Sequence, residues 1–211
     1  MKKLLWLLLL VAVLAGCSSD KGAANAKDAA AETEEKPAIA IEDIDLDEVI
    51  VTVNDEEITG DDLRYEMKRL ELMELMAGNE PGKAEISPNV AIQELIHTKV
   101  IHHIASEENI AISTEEQEAR AEAVRKEVEA VEGYEKVMKD IDAEEFWSRE
   151  TDRYAIILEA EQLIGKLMEK LQEQHPDYDE QALKFEARED LDEWVQEKIV
   201  DMDVEVKEIS E

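Results

Sequence analysis

The stretch VIVTVNDEEITGDDLRYEMKRL, residues 49–70, determines how the folded part of this chain begins. Valines alternate with other side chains over residues 49–53, and a period of two is typical of a strand with one buried face. Asn54 and Asp55 follow, and such short polar side chains tolerate left-handed backbone and hydrogen-bond to it locally. The stretch therefore predicts a strand and a tight turn ahead of a helix.

The start of that helix is marked by Thr59 and Asp62. A threonine followed three residues later by an acidic residue is typical of an N-cap with a carboxylate in the first turn, where the helix dipole favours negative charge. Apolar residues, among them Met67 and Leu70, then recur on one face. We expect this first helix to cover residues 60–76.

Four further helices are predicted from capping residues and from the spacing of apolar side chains. Ser87-Pro88 is a serine N-cap followed by a proline at the first helical position. Ser113 and Glu116 form a capping box, and Asp142 is another acidic cap. The helices are expected over residues 88–108, 114–131, 143–174 and 179–200.

The end of the chain alternates again, with Met202, Val204 and Val206 set against charged neighbours. This period of two predicts a second strand, and it is the best partner for residues 49–53. The chain is therefore expected to be mainly α, a body of several helices whose N- and C-terminal ends are joined by a small two-stranded β pairing.

The first 17 residues, MKKLLWLLLLVAVLAGC, have the order of a lipoprotein signal: two lysines, an apolar run and then Leu-Ala-Gly-Cys. The apolar run is shorter than the roughly 20 residues that span a bilayer, which argues against a transmembrane anchor. We predict that residues 1–16 are a signal peptide and that Cys17 becomes the lipidated first residue of the mature chain. Acyl chains on Cys17 then attach the protein to the outer side of the cell membrane.

Residues 17–48 are predicted to be a flexible acidic tether, and residues 49–211 a single domain. Up to Pro37 the tether is mostly Ala, Asp, Glu, Lys and Ser, so it cannot bury enough apolar surface to offset the entropy of ordering. Cys17 is the only cysteine, and its lipidation excludes an intramolecular disulfide.

The charge of the chain excludes one class of partner. The formal net charge of the precursor is −32, and removal of Lys2 and Lys3 with the signal peptide takes it to −34. Nucleic-acid binding relies on neutralising phosphates, so no nucleic-acid partner is expected. Anionic lipid headgroups are repelled for the same reason, and membrane attachment depends on the lipid anchor.

No metal, cofactor or catalytic nucleophile is expected. His97, His102 and His103 lie on one predicted helix, but their offsets of five and six residues do not bring them to one face. His103 with Glu107 is the permitted pair, and two ligands do not make a structural metal site. No serine lies in a Gly-x-Ser-x-Gly turn.

Two stretches resemble one known family. Residues 49–70 and the stretch QELIHTKVIHHIASEENIAISTEEQEARAEAVRKEV, residues 93–128, are similar to the N-terminal chaperone domain of SurA-like and PrsA-like extracytoplasmic foldases. In that family a helix rich in leucine and isoleucine precedes a short joint and a charged helix. The resemblance covers residues 48–209 and implies a domain that binds unfolded or newly exported polypeptides.

Foldases of this family insert a parvulin isomerase domain between the long helix and the last helix. Here the corresponding interval runs only from Gln172 to Gln181 and lacks the glycine-rich strands of such a domain. Prolyl isomerase activity is therefore not expected, and the chain is interpreted as a lipoprotein form without catalysis.

The candidate client-binding residues are apolar side chains on the first helix and the long helix, and two interpretations of them are open. Methionine is flexible and suits a cleft that accepts varied partners, whereas the same spacing is typical of ordinary core. The candidates are Met67, Leu70, Met73, Met76, Phe146, Trp147 and Tyr154.

The leading functional hypothesis is a lipid-anchored chaperone-like protein for unfolded or exported polypeptides. The second hypothesis is a structural or adaptor lipoprotein that binds one specific partner, and the third is a foldase of the peptidyl-prolyl isomerase type. The sequence indicates neither the client nor the oligomeric state.

Overall fold

The computed structural model describes residues 45–81 and 86–207, so the signal peptide and most of the tether lie outside the described residues. Within these ranges the chain is mainly helical, with a small sheet, as predicted. The elements in chain order are β1 (Val49–Val53), β2 (Glu56–Thr59), α1 (Gly60–Met76), α2 (Pro88–Glu107), α3 (Thr114–Glu129), α4 (Tyr134–Val137), a 3₁₀ turn (Met138–Asp140), α5 (Ala143–Gln174), α6 (Glu180–Asp201) and β3 (Val204–Val206).

The sheet joins the two ends of the described chain. Its order is β2-β1-β3, and both pairings are antiparallel. Val51 pairs with Val206 and Val53 with Val204, which confirms the predicted pairing of the chain ends. The expectation of only two strands was wrong, because the residues after the Asn54 turn form β2 and pair with the other side of β1.

The hairpin forms because of two local features. Asn54 has a left-handed backbone conformation, with φ of 53°, and a short polar side chain tolerates this conformation. Ile58 is the buried residue of β2, while Glu56 and Glu57 are exposed. Ile58 lies opposite Val51, and both side chains belong to the same buried cluster, so Ile58 is the apolar contact of β2 with the core.

The start of α1 is held by backbone and side-chain bonds. The Asp62 amide donates to Thr59 Oγ1 at 3.3 Å, and the Thr59 amide donates to Asp62 Oδ2 at 2.9 Å, which confirms the predicted cap and makes it a capping box. The Gly60 amide donates to the Glu48 carbonyl at 2.9 Å. Residue 48, which was assigned to the tether, therefore already belongs to the folded body.

Helix α5 is the centre of the helical body. Helices α3 and α6 lie along α5, α2 contacts α5, α6 and α1, and α4 contacts α1. Ser113 and Asp142 cap α3 and α5 as predicted, and proline begins α2 after Ser87. Helix α4 was not predicted: it follows Gly133, whose φ of 101° turns the chain after α3.

Two groups of buried side chains form the core, and α1 contributes to both. The sheet cluster comprises Ile50, Val51, Val53, Ile58, Leu63, Met67, Ala91 and Ile92. The aromatic cluster comprises Tyr65, Leu72, Leu75, Val128, Tyr134, Val137, Met138, Phe146 and Trp147. Opposite faces of α1 are thus buried in different clusters, which makes it the element that connects them.

The connection between α5 and α6 is short. Helix α5 ends at Gln174 and α6 begins at Glu180, so five residues join them, and the rings of His175 and Tyr178 stack there at 4.6 Å. Among the described residues, none of the helices combines the length and the apolar composition needed to cross a bilayer.

Candidate polypeptide-binding surface

Four of the seven predicted client-binding residues lie in the core. Met67, Phe146, Trp147 and Tyr154 are buried. The other three candidates, Leu70, Met73 and Met76, are half-buried on α1. Of the two interpretations left open by the sequence, core packing describes the first four, and binding of a client by any of the seven stays a prediction.

The candidates also do not form one patch. Met67 belongs to the sheet cluster, with Leu70 packed against it, whereas Phe146 and Trp147 belong to the aromatic cluster, with Met76 packed against it. The two clusters use different faces of α1. A client that touched all seven side chains would have to separate α1 from its neighbours.

The aromatic side chains are arranged as in an ordinary core. The ring centroids of Tyr65 and Phe146 are 5.0 Å apart, and the rings of Phe146 and Trp147 meet edge to face at 5.5 Å. Trp147 Nε1 donates a hydrogen bond to the hydroxyl of Tyr134 at 3.0 Å. Such geometry stabilises a pair beyond the area that it buries, so Trp147 is held in place on both its faces and its polar edge.

A buried polar network lies between α1, α2 and α5. Arg69 is 4 % exposed and Glu66 is 2 % exposed. Arg69 Nε donates to Glu66 Oε2 at 2.9 Å, and its Nη2 donates to the other oxygen of that carboxylate. Glu94 Oε2 lies 4.0 Å from Arg69 Nη2. The hydroxyl of Tyr65 donates to Glu150, which is also buried.

The charges of this network set its protonation. Burial and the nearby Glu150 carboxylate raise the pKa of Tyr65 well above its ordinary value, so its hydroxyl stays protonated and donates. Burial alone would lower the pKa of Arg69, but the Glu66 carboxylate that it binds, together with Glu150 and Glu94, raises it instead. Arg69 is thus the cation that these three carboxylates share, and its removal would leave Glu66 buried without its partner.

Sequence reasoning missed this network. Glu66 and Arg69 are three residues apart on α1, and that spacing is equally typical of a solvated surface pair. The signal that distinguishes them is position: both flank Met67, so they fall within the part of α1 that faces two buried clusters.

A small cleft lies beside the network, between the first turn of α1 and the start of α5. It is lined by Asp61, Arg64, Tyr65, Ile141, Glu145, Phe146 and Arg149. Its volume of about 10 Å³ is roughly what a single water molecule needs, so it is far too small for a small-molecule site. Arg149 spans it by ion pairs to Asp61 and Glu145, so the cleft fits a structural role.

Two histidines contact carboxylates. His103 Nε2 lies 3.2 Å from Glu107 Oε1, the pair expected from the sequence, and Lys198 Nζ binds the same carboxylate at 2.7 Å. His102 Nδ1 lies 2.9 Å from Glu159 Oε2, and Glu159 is buried. Within residues 45–81 and 86–207, no three His, Cys, Asp or Glu side chains are grouped to hold a metal ion.

The sheet has one apolar edge. Val206 is 60 % exposed, although its partner Val51 on the same face is 0 % exposed. Val204 is half-buried against the sheet cluster. In the part of the chain that the structure describes, no further strand pairs with the outer side of β3.

Comparison with known proteins gives one match. Residues 1–18 match the model of the prokaryotic membrane lipoprotein lipid attachment site. No curated protein and no solved structure matches the chain. The match confirms the predicted lipid attachment at Cys17, so the protein is an extracytoplasmic lipoprotein anchored to the membrane by lipid on that residue.

Proposed function

We propose that this lipoprotein is a chaperone-like protein that binds unfolded or newly exported polypeptides at the membrane surface, without catalysis. The observation that carries the proposal is the form of residues 49–70. They fold as a hairpin whose second strand passes through the Thr59 capping box into α1, and the resemblance to SurA-like and PrsA-like chaperone domains depends on this stretch. The anchor at Cys17 supports it, because it holds the domain where exported chains emerge.

The client-binding side chains in this proposal are those of α1 that remain half-exposed. Leu70, Met73 and Met76 lie along the second half of the helix, and methionine adapts its shape to different partners. Arg69 Nη1 lies 2.7 Å from Met73 Sδ, so the buried network contacts this surface directly. The strongly acidic exterior keeps the complex soluble and disfavours acidic clients.

One observation favours the alternative of an adaptor that binds a single partner. Phe146, Trp147 and Tyr154, which a broad client cleft would expose, are buried. An adaptor needs only one fixed surface, and it keeps such residues in its core. The two functions differ in the breadth of binding, and this is what an experiment has to measure.

The test is suppression of aggregation for a panel of unrelated denatured proteins, by the mature lipidated chain held in nanodiscs. Chaperone function predicts suppression across the panel, strongest for basic clients. The double variant Met73→Ser/Met76→Ser is expected to lose most of it. Met168→Ser, a half-buried methionine on α5 outside the candidate set, is the matched control. No suppression of any panel member would contradict the proposal and favour the adaptor.

The absence of catalysis is tested separately. The five residues between α5 and α6 leave a connection far shorter than a parvulin domain. We therefore expect the mature chain to leave the cis–trans exchange rate of a prolyl peptide at its uncatalysed value. An acceleration that grows with protein concentration would show that the protein is an isomerase after all.

A further inference from the structure

We infer that the outer edge of β3 binds an extended polypeptide segment by strand addition, and that the preferred segment alternates apolar and basic side chains. This inference rests on the proposed function and names the part of the client that the protein takes. Strand addition binds through main-chain hydrogen bonds, so it accepts many sequences, as a chaperone must.

The direction of the free backbone groups follows from the register. The Asn54 amide donates to the Asp203 carbonyl at 2.7 Å, and the Lys207 amide donates to the Ile50 carbonyl at 2.9 Å. In an antiparallel ladder, residue pairs that exchange backbone hydrogen bonds alternate with pairs that do not. Asp203 and Lys207 bond to β1, so Glu205, midway between them, bonds to β1 as well. The N–H and C=O groups of Val204 and Val206 therefore point away from β1, toward the open side of the sheet.

The side chains at this edge fit an added strand. Val51 and Val206 pair on one face, but only Val51 is covered by the helices. A strand beside β3 would place its own alternate side chains next to Val206 and cover it, because residues opposite each other in adjacent strands are in contact. An added strand with apolar side chains at every second position would therefore cover Val206 best.

The charges near β3 indicate whether a second copy of the chain or a basic polypeptide is the better partner for its outer edge. Asp201, Asp203 and Glu205 are exposed along this segment, against one cation at Lys207. A second copy of the chain would bring the same carboxylates and a mature net charge of −34 against itself. Basic side chains on the added strand pair with these carboxylates instead, so a basic extended polypeptide is the occupant that the charges favour.

The test uses two synthetic peptides of alternating valine and lysine, which differ only in backbone. One has ordinary amides, and the other is N-methylated at every residue, so that it keeps its side chains but has no backbone N–H donor on either edge. Fluorescence anisotropy measures the affinity of each for the mature lipidated chain in nanodiscs. Hydrogen exchange, resolved to single amides, follows Val204 and Val206 with and without peptide.

Two variants separate the edge from the fold. Val206→Pro deletes an outward N–H and keeps the bonds of Glu205 to β1, and proline is tolerated at an edge strand whose N–H faces solvent. Val206→Thr keeps the N–H and is the matched control. We expect the ordinary peptide to protect the Val204 and Val206 amides, and N-methylation or Val206→Pro to weaken binding on the order of tenfold or more.

Three results would overturn the inference. One is equal binding of both peptides to the natural chain, a result that does not depend on any variant folding. Another is protection of the Val204 and Val206 amides before peptide is added, since the edge is then already occupied by this chain or by a second copy. A third is aggregation suppression that Val206→Pro leaves unchanged, which would remove strand addition but leave the chaperone function standing.

Discussion

The hydroxyl of Tyr65 donates a hydrogen bond to Glu150, a residue 85 positions later in the chain. Both side chains are buried, and the bond joins α1 to α5. One turn further along α1, Arg69 binds Glu66. The contact of these two helices therefore combines the aromatic rings of Tyr65 and Phe146, which are tilted at 39° to each other, with a polar network whose geometry tolerates little displacement.

Tyr65→Phe is expected to destabilise the domain. The substitution keeps the ring but removes the donor to Glu150, and a buried carboxylate without its partner costs about 1–3 kcal/mol. Chemical denaturation measures the free energy of unfolding. Tyr178→Phe, in the connection between α5 and α6, is the control and is expected to leave stability nearly unchanged. Equal stability of Tyr65→Phe and the control would contradict the importance of this bond.

Stability is expected to fall at alkaline pH because of Tyr154. Burial, with the negative charge of Glu150, raises the pKa of Tyr154 from 10.0 to about 12. Because the folded state holds the Tyr154 proton more tightly than the unfolded state does, this contribution to stability is fully present below pH 10.0. It is lost as the pH rises toward about 12. The pKa of Tyr65 is raised as well and acts in the same direction.

Unfolding measured across this pH range in the natural chain and in Tyr154→Phe tests the assignment. The variant lacks the ionisable group, so its stability should decline less between pH 10.0 and about 12. Identical declines in the two proteins would mean that other groups cause the loss.

Thr59→Ala and Ser113→Ala are a matched pair of cap deletions. Each residue closes a capping box at the start of a helix, at α1 and at α3. Loss of a cap typically costs about 0.5–2 kcal/mol. Thr59 also ends β2, so we expect the greater loss of thermal stability there, while the box of Ser113 is exposed. A larger effect at Ser113 would be inconsistent with a fold organised around the hairpin and α1.

Much of the fold could be predicted because its signals are local. Thr59 with Asp62 and Ser113 with Glu116 mark helix starts, and each cap lies where it was expected. The pairing of the chain ends followed from alternating valines. Strand β2 was missed because only Ile58 is buried in it, and a strand with one apolar residue has no period to detect.

The environment of the candidate residues could not be predicted to the same extent. The spacing of apolar residues along a helix is the same whether Phe146 and Trp147 line a cleft or pack in a core. This spacing shows which face of the helix is apolar, but it does not show what covers that face. The Arg69–Glu66 pair shows the same limit for charged residues. Burial of this pair depends on other helices, such as α2 with Glu94 beside Arg69, which the local sequence of α1 does not contain.

Cys17→Ala is expected to abolish lipidation and processing of the precursor. The lipid attachment match ends one residue beyond this cysteine, and diacylglyceryl transfer requires its thiol. We expect an unprocessed precursor by mass spectrometry, with no lipid. Cys17→Ser, which replaces the thiol by a hydroxyl of similar size, should also remain without lipid because a hydroxyl cannot form the thioether. An unmodified Cys17 in the natural mature protein would contradict lipidation.

The most direct test of the central claim is a comparison of affinity for the same protein in its unfolded and native forms. Reduced and alkylated lysozyme is a soluble, permanently unfolded and basic client, and native lysozyme is its control for charge. For the mature lipidated chain in nanodiscs, we predict a Kd on the order of 1 μM for the unfolded form and much weaker binding of the native form. Equal binding of both forms, or none of either, would contradict a chaperone function.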